Sequence, residues 1–101
     1  MKAIKFYGHK NMIYPLLGQL RESKNYSQEL LASKMQLLGV GIDQQAISKI
    51  ENDKRIVTDF ELICICKILN VEAKYLTKDF WSKIRKKYNI FNSLNYPRMQ
   101  V

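Results

Sequence analysis

The stretch Ile42-Asp43-Gln44-Gln45-Ala46-Ile47-Ser48-Lys49-Ile50-Glu51-Asn52 decides how the rest of the chain is read. Asp43 carries the short side-chain oxygen that can accept from the free N–H groups of a first helical turn. Ile42 and Ile47 stand on either side of it at the spacing of a hydrophobic staple. Ile47 and Ile50, three residues apart, form one apolar face and turn Gln44, Gln45, Ser48 and Lys49 to the other. The stretch predicts a short helix that opens with two adjacent outward glutamines.

The same signals recur in both directions. Upstream, Ser27 can cap a helix while Tyr26 and Leu31 staple it; Leu31, Met35 and Leu38 share a face, and Gly39 supplies a left-handed stop. Downstream, Thr58 and Glu61 have the spacing of a capping box, with Val57 and Leu62 as its staple. Leu62, Ile65, Cys66 and Leu69 then follow the i, i+3, i+4, i+7 pattern of a packed helix, and Asn70 is a plausible left-handed end. A first helix is expected over residues 13–24, with Leu16, Leu17 and Leu20 inward and Pro15 confined to its first turn. A short fifth helix is expected over residues 72–77, a sixth over 78–88, and a tail from Asn92 to Val101. The chain reads as all-α.

The 101 residues fit one domain, and 47% hydrophobic against 26% charged content describes a globular chain. Cys64 and Cys66 cannot staple a secreted fold, and His9, the single histidine, completes no zinc site with them. They read as packing residues of a reducing cytoplasm. No metal or cofactor is expected, and no nucleophile or acid–base pair suggests an enzyme. No stretch approaches the ~20 apolar residues that span a bilayer, so no membrane role is expected either. The net charge of +8 makes a polyanion the first partner to consider.

From Arg21-Glu22-Ser23-Lys24-Asn25-Tyr26-Ser27-Gln28-Glu29-Leu30-Leu31-Ala32, through Ile42 to Asn52, to Leu62 and on to Tyr75-Leu76, the chain resembles the λ-repressor-like, Cro-type (XRE-type) helix-turn-helix family of transcription regulators. The resemblance implies a five-helix DNA-binding domain over residues 13–77, with the helix from Gln44 to Glu51 in the major groove. Glutamine offers a donor and an acceptor that match N6 and N7 of adenine, so Gln44, Gln45, Ser48 and Lys49 become the base-reading candidates. The resemblance places Gln28 where relatives contact a phosphate, at a helix N-terminus that attracts anions. It places Asn52, Lys54 and Arg55 in the loop that grips the DNA backbone. It matches Arg21 and Glu51 to an ion pair that fixes the angle of the reading helix. It also implies a homodimer on an inverted-repeat operator, and repression by occupying it.

Two departures stand out. The connection around residues 36–41 is about five residues longer than usual, either an added turn of the second helix or a wider loop. Asp53 stands where relatives often carry glycine, in a turn that aspartate tolerates better than most residues.

Outside this region, Phe80, Trp81, Ile84 and Tyr88 make an apolar stripe on the sixth helix. The stripe could pack on the small core or build the homodimer. An antitoxin that uses the stripe to hold a protein partner, or an interaction adaptor without DNA binding, are the rival readings. Divided along the chain, residues 1–12 carry three positive charges and no negative one. Residues 13–77 carry eight of each sign, and residues 78–101 six positive and one negative. The reading surface is thus expected to be neutral and the basic flanks to attract phosphate.

Overall fold

The computed structural model describes residues 5–88. The expected tail, with Arg98, and Lys2 of the N-terminal segment lie outside them. Among the described residues six helices follow one another: α1 (Tyr14–Ser23), α2 (Gln28–Leu37), α3 (Gln44–Glu51), α4 (Asp59–Leu69), α5 (Ala73–Leu76) and α6 (Lys78–Tyr88). No strand occurs among the described residues, and no helix there is long and apolar enough to cross a membrane.

The starts of α2, α3 and α4 are set by the residues that announced them. Ser27, Asp43 and Thr58 accept hydrogen bonds from the backbone N–H groups of Leu30, Ala46 and Glu61, and Glu61 returns the bond to Thr58. Pro15 sits in the first turn of α1, where its missing N–H costs nothing. The α1 start has a cap that the sequence did not announce. The side-chain oxygen Oδ1 of Asn11 accepts from the N–H groups of Ile13 and Tyr14 at 3.0 and 2.8 Å.

The ends obey one rule. The second residue after α1, α2 and α3, and the first after α4, turns left-handed: Asn25, Gly39, Asp53 and Asn70, with φ of +61, +94, +58 and +57°. At each end the next N–H reaches back to a carbonyl in the last turn, as Lys54 does to Lys49 at 2.8 Å and Val40 to Met35 at 3.0 Å. The long connection after α2 is therefore a loop rather than an added turn. Val40 and Ile42 plug it into the core, and the Gln36 amide donates to the Ile42 carbonyl at 2.8 Å.

One apolar cluster holds the first five helices together. Leu17, Leu31, Met35, Ile47, Ile50, Ile65, Leu69 and Leu76 are all fully enclosed. With α3 packed on both α1 and α2, its two isoleucines are spent entirely on the interior. Cys66 faces this core, where burial pushes its thiol pKa up, whereas Cys64 is half-buried.

The N-terminal segment is part of the fold. Phe6 and His9 exchange two backbone hydrogen bonds across Tyr7 and Gly8, both at positive φ, in a two-residue hairpin turn. The turn lays the Phe6 ring on Phe80 and against Trp81, and Tyr7 on Tyr88. Phe80 and Ile84 are buried where α6 meets α1 and this turn. Trp81 is half-covered and Tyr88 remains exposed.

Candidate nucleic-acid interface

The face of α3 turned away from the core carries the residues singled out for base contact. Gln44, Gln45 and Lys49 are exposed and Ser48 is half-buried. The first glutamine is not loose. Its Nε2 donates to Oε1 of Gln28 at 2.6 Å. Gln28 in turn donates from Nε2 to Oε1 of Glu51 at 2.9 Å. Glu51 closes the series on Arg21, whose Nε and Nη2 donate to its two carboxylate oxygens at 2.7 and 3.2 Å.

The direction of this relay follows from chemistry. An ionised carboxylate only accepts, so Gln28 must turn its NH₂ toward Glu51. Its carbonyl is then left facing Gln44, which must present an N–H. Gln44 keeps its carbonyl and a second N–H for an outside partner. That remaining pair, one acceptor beside one donor, is the pattern complementary to an adenine edge in the major groove.

Arg21 and Glu51 are both largely enclosed, with side chains 8% and 11% exposed. Arg21 also donates from Nη1 to the Tyr26 carbonyl at 2.7 Å, across the turn between α1 and α2. The hydrogen bonds to Glu51 hold the guanidinium above its ordinary pKa, against the desolvation that opposes it. Gly18 on α1 makes room for the pair: a Cβ there would stand 3.1 Å from Oε1 of Glu51. The sequence marked the ion pair and missed the glycine, which inside a helix resembles any other weak position.

The loop after α3 divides. Lys54 is exposed, and Asn52 is exposed with its amide donating back to the Ser48 carbonyl at 2.8 Å. Arg55 is tied elsewhere. Nη1 and Nη2 bind the two oxygens of Glu61 at 2.9 and 3.0 Å, and Nη1 also donates to the Ile56 carbonyl. Its fork belongs to the α3–α4 corner, and Lys54 and Asn52 are the expected loop residues that stay exposed. Burial would raise the Glu61 pKa, but the Arg55 fork and the Thr58 N–H outweigh it and hold the carboxyl below its ordinary value.

Two further residues hold α3 in place without any warning in the sequence pattern. Asp53 accepts from the backbone N–H of Lys10 at 2.8 Å and pairs with Nδ1 of His9 at 2.7 Å. The buried Asn11 donates both amide hydrogens, to the carbonyls of Ile50 and Arg55, each at 3.0 Å. With its carbonyl already capping α1, Asn11 is fully satisfied. Contacts that span some forty residues leave no mark in helical periodicity.

Among the described residues, no group of His, Cys, Asp and Glu could hold a metal ion. What the geometry offers is a helix fixed at both ends, presenting polar side chains in front of a second helix that supports its first residue. That pairing of α2 and α3 is the class of DNA-binding helix-turn-helix proteins. A helix-turn-helix family model matches residues 17–76, more than half of the chain. The chain belongs to that family, in its XRE or λ-repressor-like type, whose members are DNA-binding regulators. Comparison with curated proteins finds no match.

Proposed function

We propose that this chain is a transcriptional repressor that binds a specific double-stranded DNA operator through α3 and acts by occupying it. The observation that carries the reading is the relay from Arg21 through Glu51 and Gln28 to Gln44. A glutamine that was merely solvated would gain nothing from an oriented amide. One that reads adenine gains a fixed donor and acceptor, with the ordering entropy already spent in the free protein. Gln45, Ser48 and Lys49 complete the base-facing set. Lys54, Asn52 and the backbone N–H groups at the N-terminus of α2 contact phosphates and set the register.

The protein works as a homodimer on an inverted repeat whose half-sites are centred about 10 bp apart, one helical turn. Family membership supports the dimer; α6 supports it less. Phe80 and Ile84 are consumed inside the protomer, so they do not face a second copy. The same burial weighs against an antitoxin that would hold its toxin through this stripe. An adaptor without DNA binding has no use for the oriented Gln44 amide.

Selection of bound duplexes from a random pool tests the reading. An adenine-containing half-site should emerge, repeated in opposite orientation. Gln44→Ala should lose preference at that base pair, by about 1–3 kcal/mol of discrimination, while retaining affinity for unrelated duplex DNA. A pool that returns no common sequence would overturn the proposal.

A further inference from the structure

A cavity of about 460 Å³ opens where the N-terminal turn, the α3–α4 connection, α4 and α6 meet. Small-molecule sites run from about 300 to 1,000 Å³ and are mostly apolar with a few placed polar groups. Phe6, Met12, Ile56, Leu62 and Trp81 supply the apolar wall here. Two lining residues can carry charge, His9 and Lys10. His9 is engaged with Asp53. The Lys10 ammonium joins no ion pair among the described residues, although its backbone N–H is held by Asp53.

We propose that this cavity binds a free organic acid, an aliphatic chain or aromatic body against the apolar wall with one carboxylate against Lys10. Charge selects the acid: a cationic residue lining an apolar wall attracts an anion, gains little from a neutral ligand and repels a cation. Size selects a small molecule. The volume lies inside the range of small-molecule sites. Position gives the site a consequence. Ile56 and Val57 line it and directly follow Lys54 and Arg55, while Lys10 hangs from Asp53 at the end of α3. An occupant therefore bears on the corner that presents the phosphate-binding loop. This last step rests on the DNA-binding reading; the binding itself does not.

Trp81 is the only tryptophan and lines the cavity, so its emission reports occupancy with no DNA present. The full chain is titrated with decanoate, decanol and decylamine below their aggregation thresholds. Decanoate should change the emission saturably, with decanol about tenfold weaker and decylamine weaker still. Lys10→Gln should remove the advantage of decanoate over decanol. Val57→Phe, which fills the cavity, should weaken both, its helicity being checked by circular dichroism. Four results overturn the proposal: no saturable change; equal binding of decanoate and decanol by the unaltered protein; a response only to vesicles of phosphatidylglycerol; or a response only after residues 89–101 are removed, which would make the chain's own end the occupant. If the DNA reading alone is wrong, duplex selection fails while the Trp81 response remains.

Discussion

Glu51 is the residue on which most of the relay depends. It neutralises Arg21 inside the protein and holds the amide that holds Gln44. Glu51→Ala should cost about 3–5 kcal/mol in urea unfolding, because Arg21 would be left charged and enclosed. Gln28→Leu asks a finer question. It leaves the ion pair intact and frees the Gln44 amide, so operator affinity should fall roughly tenfold while affinity for unrelated duplexes and the melting temperature change little. An affinity drop that was equal on all sequences would identify Gln28 as a phosphate contact alone. Asn11→Asp should destabilise by about 1–3 kcal/mol in the same urea assay, since a carboxylate cannot donate to the carbonyls of Ile50 and Arg55. The outward face of α3 was legible from two isoleucines, because burial of Ile47 and Ile50 fixes the direction of everything between them. The link from Gln28 to Gln44 was not, because it depends on how closely α2 and α3 approach.

The elements themselves were legible because their signals are local. Ser27, Asp43 and Thr58 act within three residues of their own positions, and the left-handed Gly39 and Asn70 act on the turn just behind them. Asn25 and Asp53 end helices in the same way, with side chains that are less diagnostic than glycine. The α3–α4 corner adds a pH dependence. Glu61 titrates below its ordinary value in the folded chain, so the unfolded state binds its proton first as pH falls. Its contribution is complete above the ordinary value of 4.5 and is lost as pH drops through the lower folded value. Glu61→Gln should therefore lower stability at neutral pH and flatten the decline below pH 4.5, as read by thermal melts across an acid series. Arg55 stays charged throughout that range.

Across the whole molecule, charge and packing overlap in α6. The helix carries Lys83, Lys86 and Lys87 outward and Phe80 and Ile84 inward, so deleting it would remove core as well as charge. Replacing the three lysines by glutamine isolates the charge. The slope of log affinity against log salt should become shallower by up to about 0.9 for each DNA phosphate that is no longer neutralised, with the selected operator sequence unchanged. An unaltered slope would place the non-specific attraction elsewhere. The N-terminal turn has a different implication, for the order in which the molecule assembles. Phe6 finds its partners at Phe80 and Trp81, and His9 finds Asp53, forty-four residues ahead. Chains emerge from the ribosome at about 5–20 residues per second. Phe6 is therefore made several seconds before α6, and its ring stays uncovered by Phe80 and Trp81 until that helix follows.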